Sequence, residues 1–339
     1  MKYVSGKLFT ENGFEKGFIS FNEKKIIEKG NKLSVKEKPI AKGLIIPLTI
    51  NSHTHIGDSF IKNKKIKLPR DINKLVAPPD GLKHRLLKET SNKKIIQGMK
   101  SSIDLMLKNG TKIFCDFREN GLLGLNLIKS SLRNQNIKPI ILSRPKNLHY
   151  NKKEIELLLK NSQGIGISSI TDWDYSELKK ISIHTIKEKK IFSIHASERI
   201  REDIDLILDL KPNFLIHMTK ANRSDLIRVK ENGIAIVLCP RSNNFFGLKP
   251  KIHLMKKIGL DLILGTDNAM INYPNILDEL KFLKKNYSDL SMEELLNMLT
   301  YKPRKVLNLR PFILGPNSPA DFIVLDKKNL STLYISLSK

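Results

Sequence analysis

The sequence predicts an α/β fold, a parallel (β/α)8 barrel with a small β-domain at its flank, and three observations carry that reading. Eight short apolar runs of strand length recur between residues 43 and 267. Segments with helical spacing fill most of the gaps between them. The first run ends in Asn51-Ser-His-Thr-His55 and not in a glycine-rich phosphate loop, which removes the main signal for the rival doubly wound open sheet. Eight alternating strands are the number that closes a barrel. A chain of 339 residues with 40% hydrophobic content has enough apolar material for such a core and is not globally disordered.

The strand runs are 43–51, 112–117, 139–143, 164–170, 191–195, 214–217, 234–240 and 262–267. Most are continuous runs of Ile, Val, Leu and Phe, as strands buried on both faces should be. Among the intervening segments, 93–109 sets Ile95, Ile96, Met99, Ile103, Leu105, Met106 and Leu107 largely along one stripe. Helices are also expected over 151–160, 175–189, 201–209, 224–231 and 248–258. Ser291 and Glu294 form a capping-box pattern ahead of Leu295, Leu296 and Leu299. The ends differ in character. Residues 1–39 hold short alternating stretches with turn signals at Glu11-Asn12-Gly13 and Lys29-Gly30-Asn31. After Leu309, Pro311, Gly315, Pro316 and Pro319 punctuate the chain before the strand-like 321–325. The expected division is therefore a small β-domain from 1–42 and 312–339, with the barrel, 43–311, inserted between.

The net charge is +26. Its lysines are dispersed, as at 62–67, 187–190 and 281–285, among many Ile and Asn residues, which describes a solvated basic surface. No aromatic RNA-reading run accompanies them, so a small molecule is the expected partner and nucleic acid is not. No apolar run approaches the roughly 18 residues of a membrane span, and the N-terminus lacks the apolar core of a secretory signal. Cys115 and Cys239, both in strand-like runs, read as reduced thiols of a cytoplasmic protein. Homo-oligomers are common among barrel enzymes, but no stretch here marks an interface.

His53 and His55 are two apart on the first strand and so point to one side. His195 ends the fifth strand, His217 the sixth, and Asp267 the eighth, in Gly265-Thr-Asp. Barrel active sites form at the carboxyl ends of the strands, so four histidines and one aspartate converge there. His84, His149, His184 and His253 fall in helices or loops and read as packing or surface residues.

In this order, Asn51-Ser-His-Thr-His55, His195-Ala-Ser-Glu198, His217, Cys239-Pro-Arg-Ser-Asn243 and Gly265-Thr-Asp267 resemble the amidohydrolase superfamily. More narrowly, they resemble its cytosine, adenosine and S-adenosylhomocysteine-type deaminase branch. Lys302-Pro-Arg-Lys-Val-Leu and the stretch from Gly315 to Asp321-Phe-Ile-Val resemble the last barrel helix and the return to the β-domain, so the likeness covers nearly the whole chain. It implies a metal held by His53, His55, His195 and Asp267. The fourth strand, Gly164-Ile-Gly-Ile-Ser-Ser-Ile, lacks the lysine that bridges two metals in dinuclear members, which implies one ion. Three imidazoles and a carboxylate suit Zn2+ before Fe2+.

Roles follow from that resemblance. The ion lowers the pKa of a bound water to about 7. Asp267 takes its proton, His217 holds the attacking oxygen, and Glu198 protonates a ring nitrogen and then the departing ammonia. Arg118, Glu119, Arg241 and Asn243 are the candidates for substrate contact, with Arg144 a weaker one. The long connection 57–83 is a candidate lid. The implied activity is hydrolytic deamination of a purine-, pyrimidine- or nucleoside-like ring. Opening of a cyclic amide or amidine by the same site is the enzymatic alternative. A basic RNA- or partner-binding protein on a retired scaffold is the non-enzymatic one.

Overall fold

Apolar runs with no polar face must be covered on both sides, and the computed structural model, which describes residues 2–31, 38–64 and 66–338, shows how. Among these residues a parallel sheet runs in chain order through Thr49–His55, Thr111–Arg118, Lys138–Ser143, Gly164–Ile167, Ile191–Ala196, Phe214–His217, Ala235–Leu238 and Leu262–Leu264. A ninth segment, Asp267–Asn268, pairs back onto the first strand, Asp267 opposite Thr54 and Asn268 opposite His55. One stretch thus occupies both edges of the sheet, which curls accordingly. The step between its halves is hydrogen-bonded on each side: Gly265 N–H donates to Leu238 O at 2.9 Å and Thr266 N–H to His53 O at 2.9 Å.

Side chains alternate between the two faces of these strands. Ile113, Cys115 and Phe117 join Ile50, Ile140, Leu142, Phe214, Ile216, Val237, Cys239 and Ile263 in one core inside the curl. Phe114, Ile141, Leu215 and Ile236 point outward into the layer between strands and helices. Burying each such side chain contributes about 1.5–3 kcal/mol. Both cysteines are free and buried. The helical stripe is borne out in Asn92–Lys108, which buries Ile95, Gly98, Met99, Ile103 and Met106. Gly98 lets it lie directly on the chain at Phe60, where a Cβ would come within 2.7 Å of the Phe60 amide nitrogen. The expected capping box forms with both Ser291 and Glu294 contacts present.

A second, six-stranded sheet has the order Thr332–Ser336, Phe322–Leu325, Lys42–Pro47, Lys2–Thr10, Gly13–Phe21, Ile26–Gly30. Its own core includes Val4, Leu8, Ile19, Phe21, Ile45, Phe322 and Val324. Tyr301, from the helix Tyr301–Val306, ties it to the rest through an O–H donated to Phe9 O at 3.1 Å. The turn expected at Glu11-Asn12-Gly13 joins the first two strands, with Gly13 at a left-handed φ of 104°. The signal at Lys29-Gly30-Asn31 falls at a strand end, and 32–37 lie outside the described residues.

Several boundaries differ from expectation. The run 43–51 is two strands: Lys42–Pro47 belongs to the six-stranded sheet and Thr49–His55 to the parallel one. An unbroken apolar stretch carries no mark of that hand-over; only Pro47 punctuates it. The helix expected at 201–209 is Ile204–Asp209, started by Asp203, whose carboxylate accepts from Asp205 N–H. The one expected at 248–258 begins at Ile252, because Pro250 cannot sit inside a helix. No helix among the described residues is long and apolar enough to cross a membrane.

Candidate metal centre and cavity

The carboxyl ends of four strands meet at one point. His53 and His55 are buried at the end of the first strand, their rings 4.8 Å apart. His195 approaches from the fifth strand: its Nε2 is 3.2 Å from that of His53 and 3.2 Å from that of His55. Asp267 Oδ1 lies 3.4 Å from His53 Nε2 and 3.6 Å from His55 Nε2. Donor atoms of His53, His195, His217 and Asp267 all fall within 4.8 Å of one another. His217 and Asp267 reach the centre from left-handed backbone, φ 72° and 61°, a conformation that costs energy in residues with a Cβ and gathers at functional sites.

The ring tautomers follow from the outer partners. His195 Nδ1 faces the Ile167 carbonyl at 2.8 Å, which can only accept, so Nδ1 carries the proton. His55 Nδ1 donates to Glu119 Oε1 at 2.8 Å. Each Nε2 therefore turns a lone pair inward. No proton lies between them, because burial depresses His55 to about 3 and holds His195 well below the usual range. Unprotonated nitrogens in contact, beside a carboxylate, are what a cation would neutralise. The donor set fits a divalent ion that takes nitrogen and oxygen ligands.

A cavity opens onto this point, with Glu198 and Phe246 in its wall together with His55, His195, His217 and Asp267. Glu198 Oε1 is 3.5 Å from His217 Nε2. Asn243 Nδ2 lies between them, 3.4 Å from Glu198 Oε1 and 3.2 Å from His217 Nδ1. Burial first, and then the charge of Asp267, push the Glu198 carboxyl well above the usual carboxylate range. The described residues of the connection 57–83 include the 3-10 helix Ile56–Lys64, the helix Ile72–Leu75 and the start of the helix Leu82–Glu89. The connection contributes Ile72, Val76, Ala77, Pro78 and Lys83 to the wall.

The remaining expected residues are distributed differently. Glu119 reaches the cavity, but His55, Lys83 and Arg118 already occupy its oxygens. Burial alone would raise its carboxyl, yet Lys83 and Arg118 hold it well below the usual range. Arg118 is 2% exposed and lies behind Glu119, paired with it and with Asp116; it is not part of the cavity wall. Arg241 also lies outside the wall, its guanidinium 3.5 Å from Glu279 and 3.6 Å from Asp278. Arg144 does line the cavity, and among the described residues its buried guanidinium has no hydrogen bond or ion pair. His84 is buried, with Nε2 donating to the Val76 carbonyl at 3.0 Å, a packing role as expected.

Lys83, Asn268, Ser242 and Asp58 join the site without having been singled out. Ser242 Oγ donates to Asp267 Oδ2 and Asn268 Nδ2 to Asp267 Oδ1 at 2.9 Å. Gly265 packs directly against His53. A Cβ there would lie 2.6 Å from His53 Cβ and 2.8 Å from His53 N. Gly265→Ala must displace the first strand at His53. It is expected to lose about 1–3 kcal/mol and to take up less metal, measured by denaturant midpoint and metal content; wild-type values for both would refute the crowding argument.

A model of the amidohydrolase family matches residues 44–339. A protein of Methanothermobacter thermautotrophicus, provisionally named an aminohydrolase, is 32% identical over 72% of this chain and 68% of its own. The 5-methylthioadenosine/S-adenosylhomocysteine deaminase of Thermoanaerobacter pseudethanolicus is 25% identical over 84% of this chain and 74% of its own. Among solved structures, Helicobacter pylori aminofutalosine deaminase in complex with methylthio-coformycin superposes with a TM-score of 0.72 at 16% identity, covering 98% of this chain and 94% of that one. At that identity the likeness is one of fold.

Proposed function

The chain belongs to the amidohydrolase family, and from that premise we propose that this hydrolase removes an amino group from a heteroaromatic ring of purine, pyrimidine or nucleoside type. In this reading 43–311 is a (β/α)8 barrel and 1–42 with 312–339 its small β-domain. His53, His55, His195 and Asp267 hold one divalent ion, Zn2+ in preference to Fe2+. When bound, such an ion supplies a water acidic enough to lose its proton near neutral pH.

The observation that carries the reading is the placement of Glu198, in the cavity wall and 3.5 Å from His217 Nε2. A carboxyl kept protonated by burial has a proton to give to a ring nitrogen. Glu198 gives its proton to the ring nitrogen, takes the proton of the newly added hydroxyl and passes it to the leaving nitrogen, while Asp267 accepts the other proton of the attacking water and returns it to Glu198, so water and the amino-substituted ring become ring carbonyl and ammonia and both carboxyls end as they began. His217 holds the incoming oxygen by a hydrogen bond, and Asn243 fixes His217 and Glu198 relative to each other. Val76, Ile200 and Phe246 offer apolar wall for a flat ring. Arg144 offers a free guanidinium to an acceptor on the substrate, while Arg118, Glu119 and Arg241 act on neighbouring side chains. The relatives named deaminases support the same reaction.

The test is metal content by plasma mass spectrometry, paired with ammonia release from a panel of aminopurines, aminopyrimidines and their nucleosides. One equivalent of Zn or Fe with ammonia from at least one compound is the expected result. Metal without ammonia from any of them transfers the reading to cyclic amides and amidines. No uptake after reconstitution overturns it.

A further inference from the structure

We propose that Lys83 is a positioning residue that latches the connection over the cavity mouth to the metal cradle, so that closure of the connection and retention of the ion are coupled. The proposal rests on the metal reading above. Lys83 lies in the first turn of the helix Leu82–Glu89, within the segment that contributes to the cavity wall, yet it is 2% exposed. An ammonium taken that far from water is held only by partners that replace its hydration. Its Nζ donates to Glu119 Oε1 and, at 3.0 Å, to Asn268 Oδ1, and lies 3.7 Å from Asp58 Oδ2.

Two of these partners each lead to a proposed ligand. Glu119 Oε1 also accepts from His55 Nδ1 at 2.8 Å, and Asn268 Nδ2 donates to Asp267 Oδ1 at 2.9 Å. One side chain of this connection therefore stands a single residue away from both a histidine and the aspartate of the cradle, which come from neighbouring strands that pair directly. With Lys83 in place, Glu119 is clamped at both oxygens, by Lys83 at Oε1 and Arg118 at Oε2, and keeps the His55 ring turned inward. The Asn268 amide is likewise held at both ends. When Lys83 withdraws, one clamp on each is released and both ligands gain freedom. Coupling of this kind is reciprocal: an ion that favours the fixed ligands must also favour the closed roof. A salt bridge that merely anchored the roof would have no such consequence.

The experiment measures release of Zn2+ from the loaded full-length protein to an excess of chelator, for wild type, Lys83→Met and Lys83→Arg. Partners of ligating side chains commonly change metal affinity by about 10–100-fold when removed. Lys83→Met is expected to speed release by a factor in that range, and Lys83→Arg, which keeps a cation, to restore most of the loss. Hydrogen exchange of wild-type residues 66–89, with and without Zn2+, requires no variant to fold: faster exchange in the ion-free protein is expected. Release from Lys83→Met at the wild-type rate, or equal exchange in the two wild-type forms, overturns the latch. If wild type takes up no Zn2+, the metal reading falls and the latch with it. Uptake by wild type together with unchanged release from the variant removes the latch alone.

Discussion

Replacing Glu198 by Gln is expected to lower kcat for ammonia release by about 10²–10⁴-fold while leaving KM and the metal equivalent close to wild type. Gln keeps the size of the side chain and retains an oxygen for Asn243, whose Nδ2 lies 3.4 Å from Glu198 Oε1. What it removes is a transferable proton. Glu198 contacts His217 and Asn243 and no proposed metal ligand other than through space, so the cradle should be unaffected. The competing explanation, that Glu198 serves the start of the following helix, has no geometry behind it: that helix begins at Ile204 and is capped by Asp203. Initial rates on the first substrate found, with metal content in parallel, decide the matter. An unchanged kcat would take Glu198 out of proton transfer; a lost metal equivalent would recast it as a support of the cradle.

Much of this centre was legible in the sequence because strand periodicity and barrel geometry leave few choices. His53 and His55 share a face by the two-residue rule, and strand ends gather on one rim, so His195, His217 and Asp267 had to arrive near them. The structure brings these five together. The surroundings were less legible, for two physical reasons. Arginines at strand ends look alike in a basic sequence, yet Arg118 turns away from the cavity to satisfy Asp116 and Glu119 whereas Arg144 lines it. The difference is a side-chain direction, which no local pattern encodes. Lys83 is similar: among so many solvated lysines, only its burial marks it, and that depends on how the 57–83 connection folds back. The hand-over between sheets at Pro47–Leu48 was hidden for the opposite reason, since both sides are equally apolar.

Stripping the ion should expose how much of the stability of this rim depends on it. Without a cation, the Nε2 atoms of His53, His55 and His195, the last two turning lone pairs inward, and the Asp267 carboxylate stand within 3.2–3.6 Å of one another along the contacts that join them. Burial keeps His55 and His195 from protonating to relieve this: His55 is depressed to about 3 and His195 is held well below the usual range. A ligand that binds only the folded state stabilises by RT ln(1 + [L]/Kd), about 4 kcal/mol when free ion is a thousandfold above Kd. Every tenfold rise in free Zn2+ above Kd should add about 1.4 kcal/mol, so Tm should climb steadily with the logarithm of buffered free Zn2+. His195→Ala removes a ligand whose Nε2 touches both His53 and His55. It should flatten that dependence over the same range and abolish turnover. It should also relieve part of the lone-pair crowding, so the ion-free variant should melt no lower than the ion-free wild type by more than the cavity it leaves explains. Thermal melts of both proteins in a series of Zn2+ buffers read all of these at once. A wild-type Tm indifferent to free Zn2+ would mean that the cluster is not a cation site. An equal slope in His195→Ala would place the ion elsewhere among the five residues.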